Sequence, residues 1–238
     1  MSEIRLASTI MLAREQGGEL EVLLVRRNKA LNFAGGAWVC PGGKIDQEEI
    51  HESENELEAA KRAAVRETKE EASLDIDPKR LIFFRHWTTP ANSPRRFATY
   101  FFFADINQGG TEVIIDDEEI VAHAWLTPKE ALEQLARQEK AMLPPTILCL
   151  RVISTCRTIV EARSLLGQQE PIFVLPVVHY TAGQVICLYR GDVGYDSGDS
   201  SLEGARHRLV IDMAQATYRF EFSNCDGYLP VDGGAHRY

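Results

Sequence analysis

Apolar residues alternate with polar ones, or cluster in short β-prone runs, along most of the first half of the chain. Arg5 to Leu12 and Leu20 to Arg26 read as two strands joined by a turn at Gln16-Gly17-Gly18. Leu81 to Trp87 reads as a short strand. Phe97 to Asp105, with Tyr100-Phe101-Phe102-Phe103 inside it, reads as a central strand, because aromatic side chains suit a pleated, buried surface. Ile120 to Leu126 is a further strand, and Ile106 to Gly110 a turn. Between the second and third strands the pattern changes. No Gly or Pro occurs from Lys44 to Asp77, and Ala, Glu, Lys and Arg dominate, so a long helix is predicted to end near Leu74. Thr127-Pro128-Lys129-Glu130 starts another helix, with Thr127 as N-cap, Pro128 at the first position and Glu130 completing a capping box. A last helix is predicted to follow Pro144-Pro145 and run to about Leu166.

The segment from Pro171 to Tyr238 differs. Ile172 to His179, Val185 to Tyr189, Leu209 to Met213 and Ala216 to Phe222 read as four strands around a polar loop from Gly191 to Gly204. The expected division is therefore an α/β domain over residues 3–165 and a mostly β extension over 171–238. No catalytic motif stands in the extension. His179, His207 and His236 are too scattered in sequence to read as a ligand set.

Composition narrows the classes. The 238 residues are 45% hydrophobic, enough for one sizeable core. A formal net charge of -9 and a pI near 5.2 argue against binding nucleic acid through a broad basic footprint. Five scattered cysteines without a C-x-x-C give neither a zinc site nor a disulfide framework, and a reducing cytoplasm is the expected home. No apolar run has the length of a membrane span or the flanks of a signal peptide.

Chemistry concentrates between Pro41 and Leu74. On a helix, Glu67, Glu70 and Glu71 share a face. Three carboxylates in one patch repel, and a divalent cation that prefers oxygen ligands turns that repulsion into binding. An isolated acidic run of this kind is ordinarily solvated surface. Upstream, however, stands Pro41-Gly42-Gly43-Lys44, whose backbone can turn sharply and approach a ligand.

This arrangement resembles the Nudix box, G-x5-E-x7-R-E-U-x-E-E-x-G-U with U aliphatic. Gly43, Glu58, Arg66, Glu67, Glu70, Glu71 and Leu74 match it. Fourteen residues, not five, separate Gly43 from Glu58, so the box carries an insertion of nine, expected as an acidic solvated loop or extra turn. Thr68 replaces an aliphatic residue. Ser73 replaces the last glycine, at about 1 kcal/mol if the backbone there is left-handed. The resemblance implies an α/β/α sandwich around a mixed sheet. It also implies Mg²⁺ or Mn²⁺ held by Glu67, Glu70, Glu71 and the Gly43 carbonyl, a brace between Glu58 and Arg66, and a nucleoside diphosphate substrate. Homodimers are common in the family, though no residue here indicates one. For the general base, Glu119 in the run Asp116 to Glu119 is the first candidate and Glu67 the alternative. Arg27 or Lys44 is expected to steady the outer phosphate.

A second likeness concerns the substrate. Leu23-Leu24-Val25-Arg26-Arg27-Asn28, Gly36 and Pro41-Gly42-Gly43 resemble the coenzyme A signature L-L-T-x-R-[SA]-x3-R-x3-G-x3-F-P-G-G. Val25, Asn28, Asn32 and Cys40 depart from it, and Asn32 removes an arginine able to contact phosphate. The long interval within the box, with Thr88-Thr89-Pro90 and Pro94-Arg95-Arg96-Phe97, looks like the acyl-coenzyme A diphosphatase branch. There Arg95 and Arg96 would meet the 3′-phosphate of coenzyme A. Two other readings remain open: an ADP-ribose or nucleotide-sugar pyrophosphatase, and a nucleotide-sensing Nudix module without catalysis.

Overall fold

The computed structural model describes residues 3–31, 33–106 and 112–225. Its first sheet is mixed. β1 (Ile4–Gln16) and β2 (Glu19–Arg27) form a hairpin, β3 (Trp38–Val39) pairs with β2, and β4 (Gly42–Lys44) pairs with β1. β5 (Ile82–Thr88) runs antiparallel to β6 (Arg96–Asp105), which is parallel to β1, and β7 (Ile120–Leu126) pairs with β2. The apolar run centred on Tyr100 to Phe103 is central, between β1 and β5.

Strand alternation sorts the core into two layers. Ile10, Leu12, Leu23, Val25, Phe102 and Ala104 face the long helix α2 (Glu56–Ala72), which follows the short helix α1 (Gln47–Glu52). Helix α2 presents Ala59, Ala60, Ala63 and Ala64, all fully buried, and these small side chains let its axis lie close to the sheet. Met11, Ala13, Val22, Leu24, Phe101 and Phe103 face the other way. There they meet α3 (Pro128–Ala136), α4 (Pro144–Ile153) and α5 (Ile159–Gly167). The result is the expected α/β/α sandwich.

Two expectations are corrected. The helix predicted to run from Pro144 to Leu166 is two helices. The second is restarted by Thr158, whose hydroxyl accepts from the Glu161 N–H at 3.1 Å. The strand predicted over Ile172 to His179 is split next to Pro176, which has no N–H for a ladder. Its first half, β8 (Ile172–Val174), pairs with β5 in the main sheet, so that part of the expected extension belongs to the first sheet. Its second half, β9 (Val177–Tyr180), begins an antiparallel sheet with β10 (Gln184–Leu188), β11 (Arg206–Asp212) and β12 (Thr217–Ser223). Helix α1 occupies the acidic insertion, with Asp46 and Glu49 forming a capping box.

The small sheet shares a core with the large one. Cys187, Tyr189 and Leu209 pack among Trp87, Cys149 and Leu150. The buried pair Arg208–Asp192 (2.6 Å) ties the loop after β10 to β11. His207 contacts the Arg190 carbonyl through Nδ1 (2.7 Å) and His179 contacts the Ser200 hydroxyl (2.6 Å), whereas His236 and the predicted turn at 107–110 lie outside the described residues.

Helix α2 ends at Ser73, which is left-handed (φ 57°) and donates its N–H to the Lys69 carbonyl. A serine side chain is strained in that conformation and glycine is not. Ser73→Gly is therefore expected to stabilise the fold by about 1 kcal/mol, read as a higher urea midpoint at unchanged slope.

Candidate active site

The site is built where β1 changes partners. It pairs with β2 from Gln16 back to Ala13, then takes β4 at Thr9, Ser8 and Ala7. At this fork the Thr9 hydroxyl donates to the Pro41 carbonyl at 2.6 Å, and the Ile10 N–H donates to the same carbonyl at 2.9 Å. Pro41 is thereby pinned, and Gly42 and Gly43 follow in the only geometry that fits. Gly42 has φ 153°, and a Cβ on it would overlap the Ser8 carbonyl and the Thr9 backbone. A Cβ on Gly43 would collide with the Glu67 carboxylate.

Helix α2 lies across this fork. Its start is fixed by Asn55, whose side chain accepts from the Glu58 N–H at 3.0 Å. One turn apart near its end, Glu67 packs on Gly43 and Glu71 reaches Gly42. The Gly42 N–H donates to Glu71 Oε2 at 2.9 Å. Glu71 is only 4% exposed. Burial pushes its carboxyl up to about 8. The Gly42 bond and Arg27 offset this in part, and repulsion from Glu67 and Glu119 adds to it. Burial also raises Glu67, against the pull of Arg66.

Arg27, at the end of β2, stands between two carboxylates. Its Nη1 is 3.8 Å from Glu71 Oε1 and its Nη2 is 3.6 Å from Glu119 Oε2. The segment carrying Glu119 is tied to the same strand end, because the Asn28 N–H donates to the Glu119 carbonyl at 2.7 Å. The fold thus brings Glu119, 48 residues beyond Glu71 in sequence, to the carboxylate cluster.

Arg66 organises the other side. It donates to Glu49, Glu67 and Glu70, each at 3.0 Å, and to the Lys44 carbonyl at 3.0 Å. Burial opposes its charge, but the bonds to Glu49 and Glu67 outweigh this and raise its pKa. Glu58 is not part of this network. Its carboxylate pairs with Lys61 at 2.7 Å, two helical turns from Arg66. The acid that meets Arg66 is Glu49 in α1, which sequence reasoning missed. A signal was present: five residues separate Gly43 from Glu49, the interval of the box pattern, so the extra nine residues fall after the acid instead of before it.

The remaining candidates are dispersed. Glu70 is largely exposed, 58% for its side chain. The Lys44 side chain is exposed, and only its carbonyl is engaged. Arg96 is buried and its Nε donates to the Thr89 carbonyl at 3.3 Å, closing the loop between β5 and β6. Arg95 is exposed on that loop. Phe33 meets Phe97 with ring centroids 5.1 Å apart and planes tilted by 46°, which carries the segment after Arg27 to the start of β6, next to that loop, while Asn32 lies outside the described residues.

The donor set suits a hard divalent cation. Glu67 and Glu71 carry oxygen donors whose mutual repulsion and burial a dication would relieve. Among the described residues no three His, Cys, Asp or Glu side chains are gathered as a ready-made metal set. Arg66 draws Glu67 and Glu70 to its own guanidinium, and Glu71 is turned to Gly42 and Arg27.

The profile of the NUDIX domain matches residues 4–145. Nudix hydrolase 7 of Caenorhabditis elegans is 23% identical over 261 aligned positions, covering 92% of this chain and 85% of that protein. Nudix hydrolase 8 of Arabidopsis thaliana is 32% identical over 114 positions, which are 48% of this chain and 28% of that protein. The crystal structure of a NUDIX hydrolase from Alicyclobacillus acidocaldarius shares the fold, with a TM-score of 0.61 at 24% identity over 69% of this chain and 97% of that one. No helix among the described residues is long and apolar enough to cross a membrane. The span matched by the domain profile exceeds half of the chain and contains both the glycine fork and the carboxylate helix, so the protein belongs to the Nudix hydrolases, a family of enzymes that act on nucleoside diphosphate derivatives and generally use divalent metal ions.

Proposed function

We propose that this enzyme hydrolyses the phosphoanhydride of coenzyme A or its acyl thioesters. The observation that carries the hydrolytic centre is the pairing of Glu71 with the Gly42 N–H at 2.9 Å while Glu67 lies over Gly43. Glu67, Glu70, Glu71 and the Gly43 carbonyl would hold Mg²⁺ or Mn²⁺. The bound ion supplies charge neutralisation at the phosphoryl oxygens and a more acidic attacking water. Water adds to phosphorus, the bridging P–O bond breaks, and its electron pair leaves with the departing phosphate. Glu119 accepts the proton of the attacking water, since it reaches the cluster through Arg27 and is exposed enough to exchange that proton with solvent. Once substrate enters, Arg27 and Lys44 steady the outer phosphate. Arg66 and Glu49 hold α1, β4 and α2 in register.

The coenzyme A assignment rests on the likeness around Leu23 to Gly43 and on the Phe33–Phe97 contact, which joins that segment to the start of β6, two residues beyond Arg95. Arg95 is offered to the 3′-phosphate. A homodimer is the assembly the family likeness favours, and sedimentation equilibrium reads it. The deciding experiment compares metal-dependent product release from coenzyme A, its acyl thioesters, NADH and ADP-ribose, with Mg²⁺ and with Mn²⁺. Coenzyme A or its thioesters should be turned over fastest. Rapid turnover of ADP-ribose with none of coenzyme A overturns the assignment. No turnover of any substrate, with Glu70→Gln and Glu71→Gln still binding nucleotide as the parent does, establishes a sensing module instead.

A further inference from the structure

Arg26 precedes Arg27 on β2, and the pairing with β7 shifts register between the two; Arg26 meets Trp38, whereas Arg27 meets Glu71. Arg26 stands beside Trp38, its register partner in β3. The Trp38 N–H donates to the Ala141 carbonyl at 2.8 Å, and this brings Lys140 over the indole. The Lys140 Nζ lies 3.5 Å from the ring centroid and the Arg26 guanidinium carbon 5.9 Å from it. Two cations therefore share one aromatic ring. Neither has a carboxylate partner among the described residues, and Arg26 Nε is buried without a hydrogen bond. Glu139, next to Lys140, is taken by Arg137 at 2.8 Å.

This arrangement lacks an anion. A ring quadrupole attracts a cation by about 0.5–2 kcal/mol but carries no net charge and fills no N–H donor. Arg26 and Lys140 repel each other: burial and Arg26 lower the Lys140 pKa, and Glu139 offsets this only in part. In a chain of net charge -9, acidic residues are abundant, yet the carboxylate that acts on Lys140 is that of Glu139, which is already paired with Arg137. A guanidinium fork beside an ammonium matches the oxygens of a phosphate dianion. The position is set apart from the Glu71 cluster, since Arg27 meets Glu71 and Arg26 meets Trp38.

We propose that Arg26 and Lys140, seated on Trp38, form a second anion site that binds a phosphate monoester. The anion is either the monoester end of a nucleotide or free phosphate. The former case rests on the diphosphatase reading above; the site itself does not. The test is calorimetry on the full chain in EDTA, where unneutralised carboxylates repel anions and only a cationic site binds them. The probes are inorganic phosphate and adenosine 3′,5′-bisphosphate. Arg26→Met and Lys140→Met keep the apolar stems on Trp38 while removing charge, and circular dichroism checks their fold. Saturable binding by the parent is expected, weakened about tenfold or more in each variant, as for a lost charge-assisted hydrogen bond. Similar affinity for both probes identifies free phosphate as a sufficient ligand, whereas much tighter bisphosphate binding identifies the nucleotide. Absence of saturable binding, or binding unchanged in either variant, overturns the proposal. Because no metal or turnover enters, its failure is separate from failure of the substrate panel.

Discussion

Glu71→Gln makes the metal-free protein more stable at pH 8 and above, and at the same time removes at least about a hundredfold of its metal-dependent turnover, more than is typical for losing a residue that merely supports a ligand. The stability gain follows from the raised carboxyl. Its pKa moves from an ordinary 4.5 in the unfolded chain to about 8 when buried. A carboxyl raised by folding holds its proton longer in the native state. Below pH 4.5 it is protonated in both states and costs nothing. As pH rises from 4.5 through 8, the unfolded state gains from ionising and the native state does not, so stability falls. Above 8 the penalty is constant, on the order of a few kcal/mol. Glutamine has no such penalty, and its side-chain oxygen still accepts from the Gly42 N–H. Urea midpoints of parent and variant in EDTA at pH 5, 7 and 9 check this: the curves should diverge with pH. Mg²⁺ should narrow the gap by stabilising the parent alone. A variant less stable than the parent at pH 9 overturns the account of Glu71.

Gly42→Ala and Gly43→Ala are expected to fail differently, though the residues are adjacent. At Gly42 the added methyl meets the Ser8 carbonyl and the Thr9 backbone, inside a strand pairing that cannot yield, and φ 153° is closed to alanine. A loss of about 3 kcal/mol or more is expected, seen as a large fall in melting temperature. At Gly43 the methyl meets the end of the Glu67 side chain, which can swing aside. The fold should survive, while Glu67 is displaced by about an ångström or more, a misplacement that costs about a hundredfold in kcat. Melting curves and Mg²⁺-dependent kcat on both variants separate the two. A Gly43→Ala enzyme with undiminished kcat shows that Glu67 has no part in the chemistry.

Local signals were written plainly in the chain. Alternation over β1, β2 and β6 gave the strands and the buried centre of the sheet, because a half- or fully buried strand must place apolar residues where a neighbour covers them. Thr127 and Pro128 gave the start of α3, since a helix end needs its N–H groups satisfied nearby. The same locality governs the carboxylates of α2: Glu67, Glu70 and Glu71 lie within five residues, and helix periodicity relates them directly.

What the chain alone left undecided depends on contacts between distant segments. Counting back from Arg66 reaches Glu58, and counting forward from Gly43 reaches Glu49. Both counts are valid on paper, and only the folding of α1 against α2 decides for Glu49. Arg96 reads as a free basic residue until the loop closes on it through the Thr89 carbonyl. Ile172 to Val174 read as part of a separate sheet until Pro176 breaks the run and β5 offers an open edge. Arg26 and Arg27 are neighbours of one type, yet at the register shift between them β2 brings Arg27 to Glu71 and Arg26 to Trp38. Spacing along the backbone fixes which side chains share an element; which charges meet is settled by how elements pack, where burial and a lowered dielectric give each pairing its energy.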